Sequence, residues 1–397
     1  MTDTVLHPSP AAVRATVRVS GGAVATTIAC VLPVFLVGGL AVQMGHDLGF
    51  SPAGLGLVVA VYFGISALAS VPSGALVERY GAAVVARAGI LLSAGSLLAV
   101  AGLARSYPVL VGLLGLSAAA NALGQLASNA ALAQHVPAHR QGLSFGVKQS
   151  AIPVSTLLAG AAVPTIALTV GWRWAFVAAA GMALAALPAV PAAANDPARR
   201  TTAGRSGGAT TALVVVGLAA ALASGAANAL GTFVVDSSAG RGLSPALAGL
   251  TLTLGSAVCV VARVGAGWLA DRRETGHVAL IAGMLLVGAV GLALLALAGA
   301  GPLVAGVVLG FGLGWAWPGL MNFAVVRLHP QAPAAATSIT QTGVYAGASL
   351  GPLALGTLAD QLGYPAMWAT ACVSMLLAAV LMLLGARLLS RPTPGTR

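Results

Sequence analysis

The sequence predicts an all-α membrane protein: twelve transmembrane helices in two pseudo-symmetric six-helix bundles. Three observations carry that expectation. The 397-residue chain is 58% hydrophobic and 7% charged, with a mean hydropathy of +0.95, whereas a soluble domain carries about 25% charged residues. Apolar stretches of roughly 20 residues, enough to cross a hydrocarbon core, recur along the whole chain. Two of them close on the same pattern 193 residues apart, Gly74-Ala75-Leu76-Val77-Glu78-Arg79 and Gly267-Trp268-Leu269-Ala270-Asp271-Arg272.

In chain order the spans are placed at 21–44, 53–75, 82–104, 107–134, 142–169 and 173–192. The second half gives 211–235, 246–269, 278–299, 302–326, 334–358 and 365–388. The duplication is wider than the charged pattern. Ser51-Pro52-Ala53 recurs as Ser244-Pro245-Ala246, and Asn129 and Pro137 match Asn322 and Pro330, all at the offset of 193. Beyond them the offset is 192, pairing Gln149 with Gln341 and Gly171 with Gly363. Two copies of one half in the same direction are a known plan for membrane carriers. The domains expected are 1–192, a polar Gly- and Arg-containing linker at 193–209, and 210–397.

The formal charge of +11 does not point to nucleic acid, because the basic residues are scattered through short loops without an aromatic platform. With the N-terminus inside, sixteen Lys and Arg fall on the cytoplasmic side and three (Arg105, Arg173, Arg241) on the other. The positive-inside rule thus places both termini in the cytoplasm of a multi-pass cell-membrane protein. Residues 1–18 show no removable signal peptide. Cys30, Cys259 and Cys372 lie in apolar segments without metal-ligand spacing, so they read as packing residues and no metal or cofactor is expected. The expected partners are the lipid bilayer and a small molecule, with the chain a monomer. Trp172, Trp174, Tyr107 and Tyr364 stand at span ends, where interface anchoring is the simple explanation.

Polar side chains inside spans turn from lipid toward protein or water. Ser117, Asn121, Gln125 and Asn129 recur every four residues on span four, one helix face. Ser224, Asn228 and Thr232 do so on span seven, and Thr337, Gln341, Tyr345 and Ser349 on span eleven. Trp315 and Asn322 share a side of span ten, and span five carries Ser144, Lys148, Gln149 and Ser155. These faces would line a polar path; each residue could instead bond a neighbouring helix. Spans three, six, nine and twelve are expected to face lipid, with the hydroxyls of Ser93, Ser96, Thr370 and Ser374 satisfied on their own helices. The candidate binding residues are Asn121, Gln125, Lys148, Gln149, Asn228, Trp315, Asn322, Gln341 and Tyr345.

Lys148 stands out because a cation at the bilayer centre costs about 2.5–3.5 kcal/mol. Either it snorkels to the cytoplasmic interface or it faces a cavity and holds an anionic group. No Asp or Glu lies near the middle of a span, so no carboxylate proton relay is visible. His135, His139, His277 and His329 read as solvated loop histidines. The twin turns form a candidate gate of Gly74, Glu78, Arg79, Gly267, Asp271 and Arg272, with glycines that let helices approach, acids that meet helix N-termini, and arginines within ion-pair reach.

With these features in view the chain resembles the major facilitator superfamily over its whole length. The loop signature is matched at Gly74, Leu76, Glu78, Arg79 and Gly81, with Glu in place of the usual Asp, and again at Gly267, Leu269, Ala270, Asp271 and Arg272. Gly171-Trp172-Arg173-Trp174 resembles the start of span six in many members. The resemblance implies secondary active transport of a small solute by alternating access, with spans one, four, seven and ten lining the cavity. Lys148 suggests an organic anion. The alternative is a multidrug or metabolite exporter working by proton antiport. Against it stand Asn121 near the position where such exporters often carry Arg, and Val163 where the glycine before Pro164 is usual. A membrane sensor without transport is the third reading; no catalytic constellation marks an enzyme.

Overall fold

The computed structural model describes residues 10–136, 141–191, 210–273, 275–328 and 333–389. The sequence-assigned linker 193–209, His139 and His329 lie outside them. Ten helices are each suited in length and apolarity to one membrane crossing. They are α1 (Thr16–Gly39), α2 (Pro52–Tyr80), α3 (Ala82–Leu103), α4 (Tyr107–His135) and α5 (Leu143–Ala167). After them come α6 (Trp172–Ala189), α7 (Thr211–Gly240), α8 (Pro245–Ala270), α9 (His277–Ala296) and α10 (Ala300–Val325). An eleventh, Ile339–Leu389, is 51 residues long and breaks at Gly363, where φ 82° and ψ 168° leave the helical region. That break makes two crossings of it, α11 (339–362) and α12 (364–389), so the twelve expected spans are present. No strand occurs among the described residues.

The Ser-Pro-Ala repeat starts two of these helices. Ser51 and Ser244 are N-caps whose Oγ atoms accept from the backbone N–H of Gly54 and Leu247, each at 3.4 Å, and Pro52 and Pro245 open the first turn. Proline suits that position because its missing N–H would have had no partner there. The charged hexapeptides differ from expectation. They are the last turns of α2 and α8 rather than loops, since helix persists to Tyr80 and to Arg272. Gly81 (φ 82°) makes the first reversal, and Gly276 (φ 79°) lies in the second. We call the end of the molecule that holds these turns the arginine-rich face.

Within each bundle one helix is enclosed by the rest. The apolar windows of α1 and α7 are 78% and 72% buried, against 33% for α6. Leu91 and Leu98 on α3 and Val373, Leu377, Val380 and Leu384 on α12 are exposed, as lipid-facing helices require. Two of their hydroxyls depart from expectation. Ser93 donates to the Ala29 carbonyl of α1 at 2.6 Å and Ser374 to the Leu222 carbonyl of α7 at 3.2 Å, whereas Ser96 and Thr370 do bond their own helices. The two acceptors are 193 residues apart, but the donors sit on α3 and α12, which are not equivalent helices, so the two bonds are not copies of one another.

The duplication does reach tertiary hydrogen bonds on the face opposite the arginines. Trp172 is buried, and its Nε1 donates to Asp47 at 2.8 Å; the Tyr364 hydroxyl donates to Asp236. Both aromatics therefore fasten the start of one helix to the end of another, which anchoring in lipid would not require. Arg173 caps the Ala104 carbonyl at 2.9 Å and Arg241 the Leu297 carbonyl at 2.7 Å; the acceptors are equivalent in the two halves, whereas the arginines come from the start of α6 and the segment after α7. His277 corrects another expectation. It is buried, its ring 5.3 Å from that of Phe323 and its Nε2 3.3 Å from the Ala270 carbonyl.

The bundles meet along α1–α7, α2–α11 and α5–α8, and away from the arginine-rich face they meet through glycine. A Cβ on Gly38 would lie 2.6 Å from the Gly231 carbonyl, one on Gly160 2.6 Å from that of Gly249, and one on Gly356 2.6 Å from that of Pro52. Small residues let membrane helices touch backbone to backbone, and here they close that face. Gly74 and Gly267 do not contribute, since a Cβ on either would meet nothing within 4 Å.

Candidate functional site

Two helices that border the seam between the bundles are broken, and their breaks create the site. Helix α5 turns at Ser150 and restarts at Ala151. Pro153 has no N–H to offer the carbonyl four residues back, which is that of Gln149. Helix α10 loosens into a π-helical turn at Gly310–Gly314, leaves the helix at Trp315 (φ −118°, ψ 0°), and restarts at Pro318. A buried carbonyl without a partner is costly, so both breaks call for a donor.

Arg263 of α8 supplies it. The residue is 3% exposed. Its Nε and Nη2 donate to the Trp315 carbonyl at 3.2 and 2.8 Å, and its Nη1 donates across the seam to the Gln149 carbonyl. Sequence reasoning counted Arg263 among the loop arginines, but it lies seven residues inside α8, about 10 Å along the helix. The signals were present: an arginine inside an apolar span, a proline four residues after Gln149, and another just after Trp315. A cavity of about 10 Å³ lies beside it, lined by Gly146, Gln149, Gly267, Ala316, Leu320 and Phe323 among others.

Lys148, one residue before Gln149, is 1% exposed and does not snorkel to the surface. Its Nζ donates to Gln125 Oε1 of α4. One turn further along α4, Asn121 Nδ2 donates to Ser66 Oγ of α2 at 3.1 Å, and Ser66 donates to the Ala118 carbonyl at 3.0 Å. Asn121 Oδ1 and Ser117 Oγ are buried without a hydrogen-bond partner. The structure thus brings Asn121, Gln125 and Lys148 into one polar cluster inside the first bundle, with acceptors to spare.

The other candidates separate. Asn228 spends its Nδ2 on Ser224 of its own helix, and Ser224 donates to the Val344 carbonyl of α11, so this stripe ties helices together. Trp315 packs edge-on against Phe35 of α1, ring centroids 5.8 Å apart, and places an aromatic contact on the seam. Asn322 has its Oδ1 buried and unpartnered. Tyr345 lies with its hydroxyl against Ser70 of the other bundle, one turn beyond Gln341, which is half-buried. Among the gate residues, Glu78 and Arg79 are exposed, and Glu78 makes no ion pair among the described residues. Arg79 stacks on Tyr80 at 5.2 Å and Arg272 on Trp268 at 3.7 Å, so among the described residues their guanidinium groups meet rings and make no ion pair. The Asp271 side chain lies outside the described residues.

Comparison with known proteins agrees with this architecture. The family model of the Major Facilitator Superfamily matches residues 23–342 and 213–397. A chloramphenicol resistance protein of Streptomyces lividans is 30% identical over 336 residues, covering 81% of this chain and 84% of that protein. A bacterial homolog of the human lysosomal transporter Spinster, solved in an inward-facing and occupied conformation, shares the fold with a TM-score of 0.67. The alignment covers 96% of this chain and 97% of that one at 14% identity. Twelve crossings in two like bundles, two cations buried beside their seam and a family match over most of the sequence converge: the chain is a multi-pass membrane transporter that belongs to the major facilitator superfamily.

Proposed function

We propose that the protein moves a small organic anion by alternating access, the two bundles (1–192 and 210–397) rocking about a site near Lys148. One observation carries this reading. The Lys148 ammonium is buried and its hydrogen bond among the described residues goes to a neutral amide, Gln125. An ammonium has three donors, and a membrane-embedded cation without a counter-ion marks a solute path. Asn121 Oδ1 and Ser117 Oγ add unpaired acceptors on the same face of α4. We place the arginine-rich face in the cytoplasm of the cell membrane, by the charge asymmetry of the loops, and take the monomer as the working unit. A thermal-stability screen of the purified chain against small carboxylates tests the reading. Stabilisation by a carboxylate that disappears in Lys148→Gln, with matching loss of uptake into liposomes, is the expected result. Equal binding to parent and Lys148→Gln would refute it.

A second reading rests on the Streptomyces relative, whose name is a chloramphenicol resistance protein: export of a neutral, ring-bearing antibiotic. The Phe35–Trp315 pair offers an aromatic surface for such a ring. Expression in a chloramphenicol-sensitive host separates the two. Raised resistance that survives Lys148→Gln and is lost in Trp315→Ala favours this second reading.

A further inference from the structure

We propose that Arg263 is a second solute-binding cation that exchanges partners during transport: the Gln149 carbonyl while α5 and α8 are joined, and the oxyanion of the solute when they part. The proposal deepens the organic-anion reading and rests on it.

Arg263 holds the seam together with a poorly matched bond. A guanidinium stays charged at any physiological pH. It is buried here, and the carboxylate ion pairs among the described residues all belong to Asp47, on the opposite face. Its oxygen acceptors are two main-chain carbonyls, Gln149 and Trp315, each beside a proline-linked break, and the neutral Cys259 thiol one turn back on α8 lies against it. Carbonyl dipoles neutralise a full charge only in part, whereas a carboxylate takes the guanidinium fork in two parallel charge-assisted bonds. A carboxylate reaching this point therefore displaces the weaker partner.

The space beside Arg263 makes that displacement conditional. At about 10 Å³ it holds roughly one water, so no organic solute fits while the seam is shut. Gly146 and Gly267 line it, and a Cβ on either would touch nothing within 4 Å, so its wall is open beside both glycines. Ala316, Leu320 and Phe323 make the rest of the wall apolar. The ligand class that fits is a carboxylate with an apolar body. Lys148 on α5 and Arg263 on α8 belong to different bundles, so a carboxylate held between them replaces the direct Arg263–Gln149 link with a bridge through the solute. Binding then both breaks the resting clamp and supplies its substitute.

The test uses the purified full chain with benzoate and phthalate as probes. Spin labels at Tyr80→Cys and Arg273→Cys, with the three native cysteines replaced, report the separation of α2 and α8 at the arginine-rich face. Two results are expected of Arg263→Gln. Without probe its label distances lengthen, toward those the probes produce in the parent, and its probe affinity falls about tenfold or more, as loss of a charged hydrogen bond implies. Arg263→Lys keeps the charge without the fork and serves as the test if the glutamine variant does not fold. In it, longer distances with affinity lowered about threefold or more support the proposal, and parent-like values overturn it. Parent-like affinity in Arg263→Gln, with binding lost in Lys148→Gln, also overturns the proposal and leaves the anion reading standing. Failure of both probes to stabilise the parent removes the anion reading and the Arg263 proposal together.

Discussion

Gly160 shows how little room the seam leaves a single side chain. A Cβ there would lie 2.6 Å from the Gly249 carbonyl and 2.7 Å from Thr253 Oγ1, contacts that force one bundle to shift. Gly160→Val should therefore cost about 1–3 kcal/mol, the usual range for overpacking. It should also hold the face opposite the arginines open, read as a lowered melting temperature and as labelling of a cysteine placed on α8 near Gly249. Gly74→Val is the contrasting variant. A Cβ there meets nothing in this conformation, so stability should stay at the parent value; only a change in turnover would then assign Gly74 to a gate formed in another conformation. Lys148 and Arg263 show the same dependence on surroundings. Both are cations in apolar spans, yet only the folded seam reveals that one meets a side-chain amide and the other two main-chain carbonyls.

At the scale of the helix, caps and breaks do different work. The Ser51 and Ser244 caps are exposed and long at 3.4 Å, so Ser51→Ala and Ser244→Ala should each cost only about 0.5 kcal/mol, the low end for N-caps, and act additively in a melting experiment. The break at Pro153 is the opposite case. Pro153→Ala would give the Gln149 carbonyl an intrahelical donor and straighten α5, making Arg263 compete for its acceptor. We expect equal or greater thermal stability and slower transport from that variant; lower stability with unchanged transport would show the break to be only structural. The twelve spans and their order were legible in the sequence, because apolar length is set by membrane thickness and needs no partner. The breaks in α5 and α10 were legible only as prolines. What a freed carbonyl bonds depends on which helix lies beside it.

For the whole molecule, duplication is the organising fact. It governs one fastening as well as the helices: Trp172 to Asp47 and Tyr364 to Asp236. Asp47 is half exposed, so Asp47→Asn should cost under about 1 kcal/mol, and a similar loss from Asp236→Asn would show the two fastenings to be equivalent. The twin turns are the other duplicated device. Asp271→Asn is expected to slow transport while the protein stays monodisperse, and unchanged turnover would remove the turns from the gating mechanism.

Sequence alone determined the solvent, the number of crossings, the repeat and the family, because each follows from local composition or from residues at a fixed spacing. It also exposed Lys148, since a charge in an apolar run is conspicuous wherever the helix packs. Tertiary structure decided what those residues face: Asn228 turned to its own helix, Trp172 to an acid, His277 into the interior, and Arg263 across the seam. Polar groups in a membrane protein take the nearest available partner, and which helix is nearest is set by packing within and between the bundles, not by the local sequence.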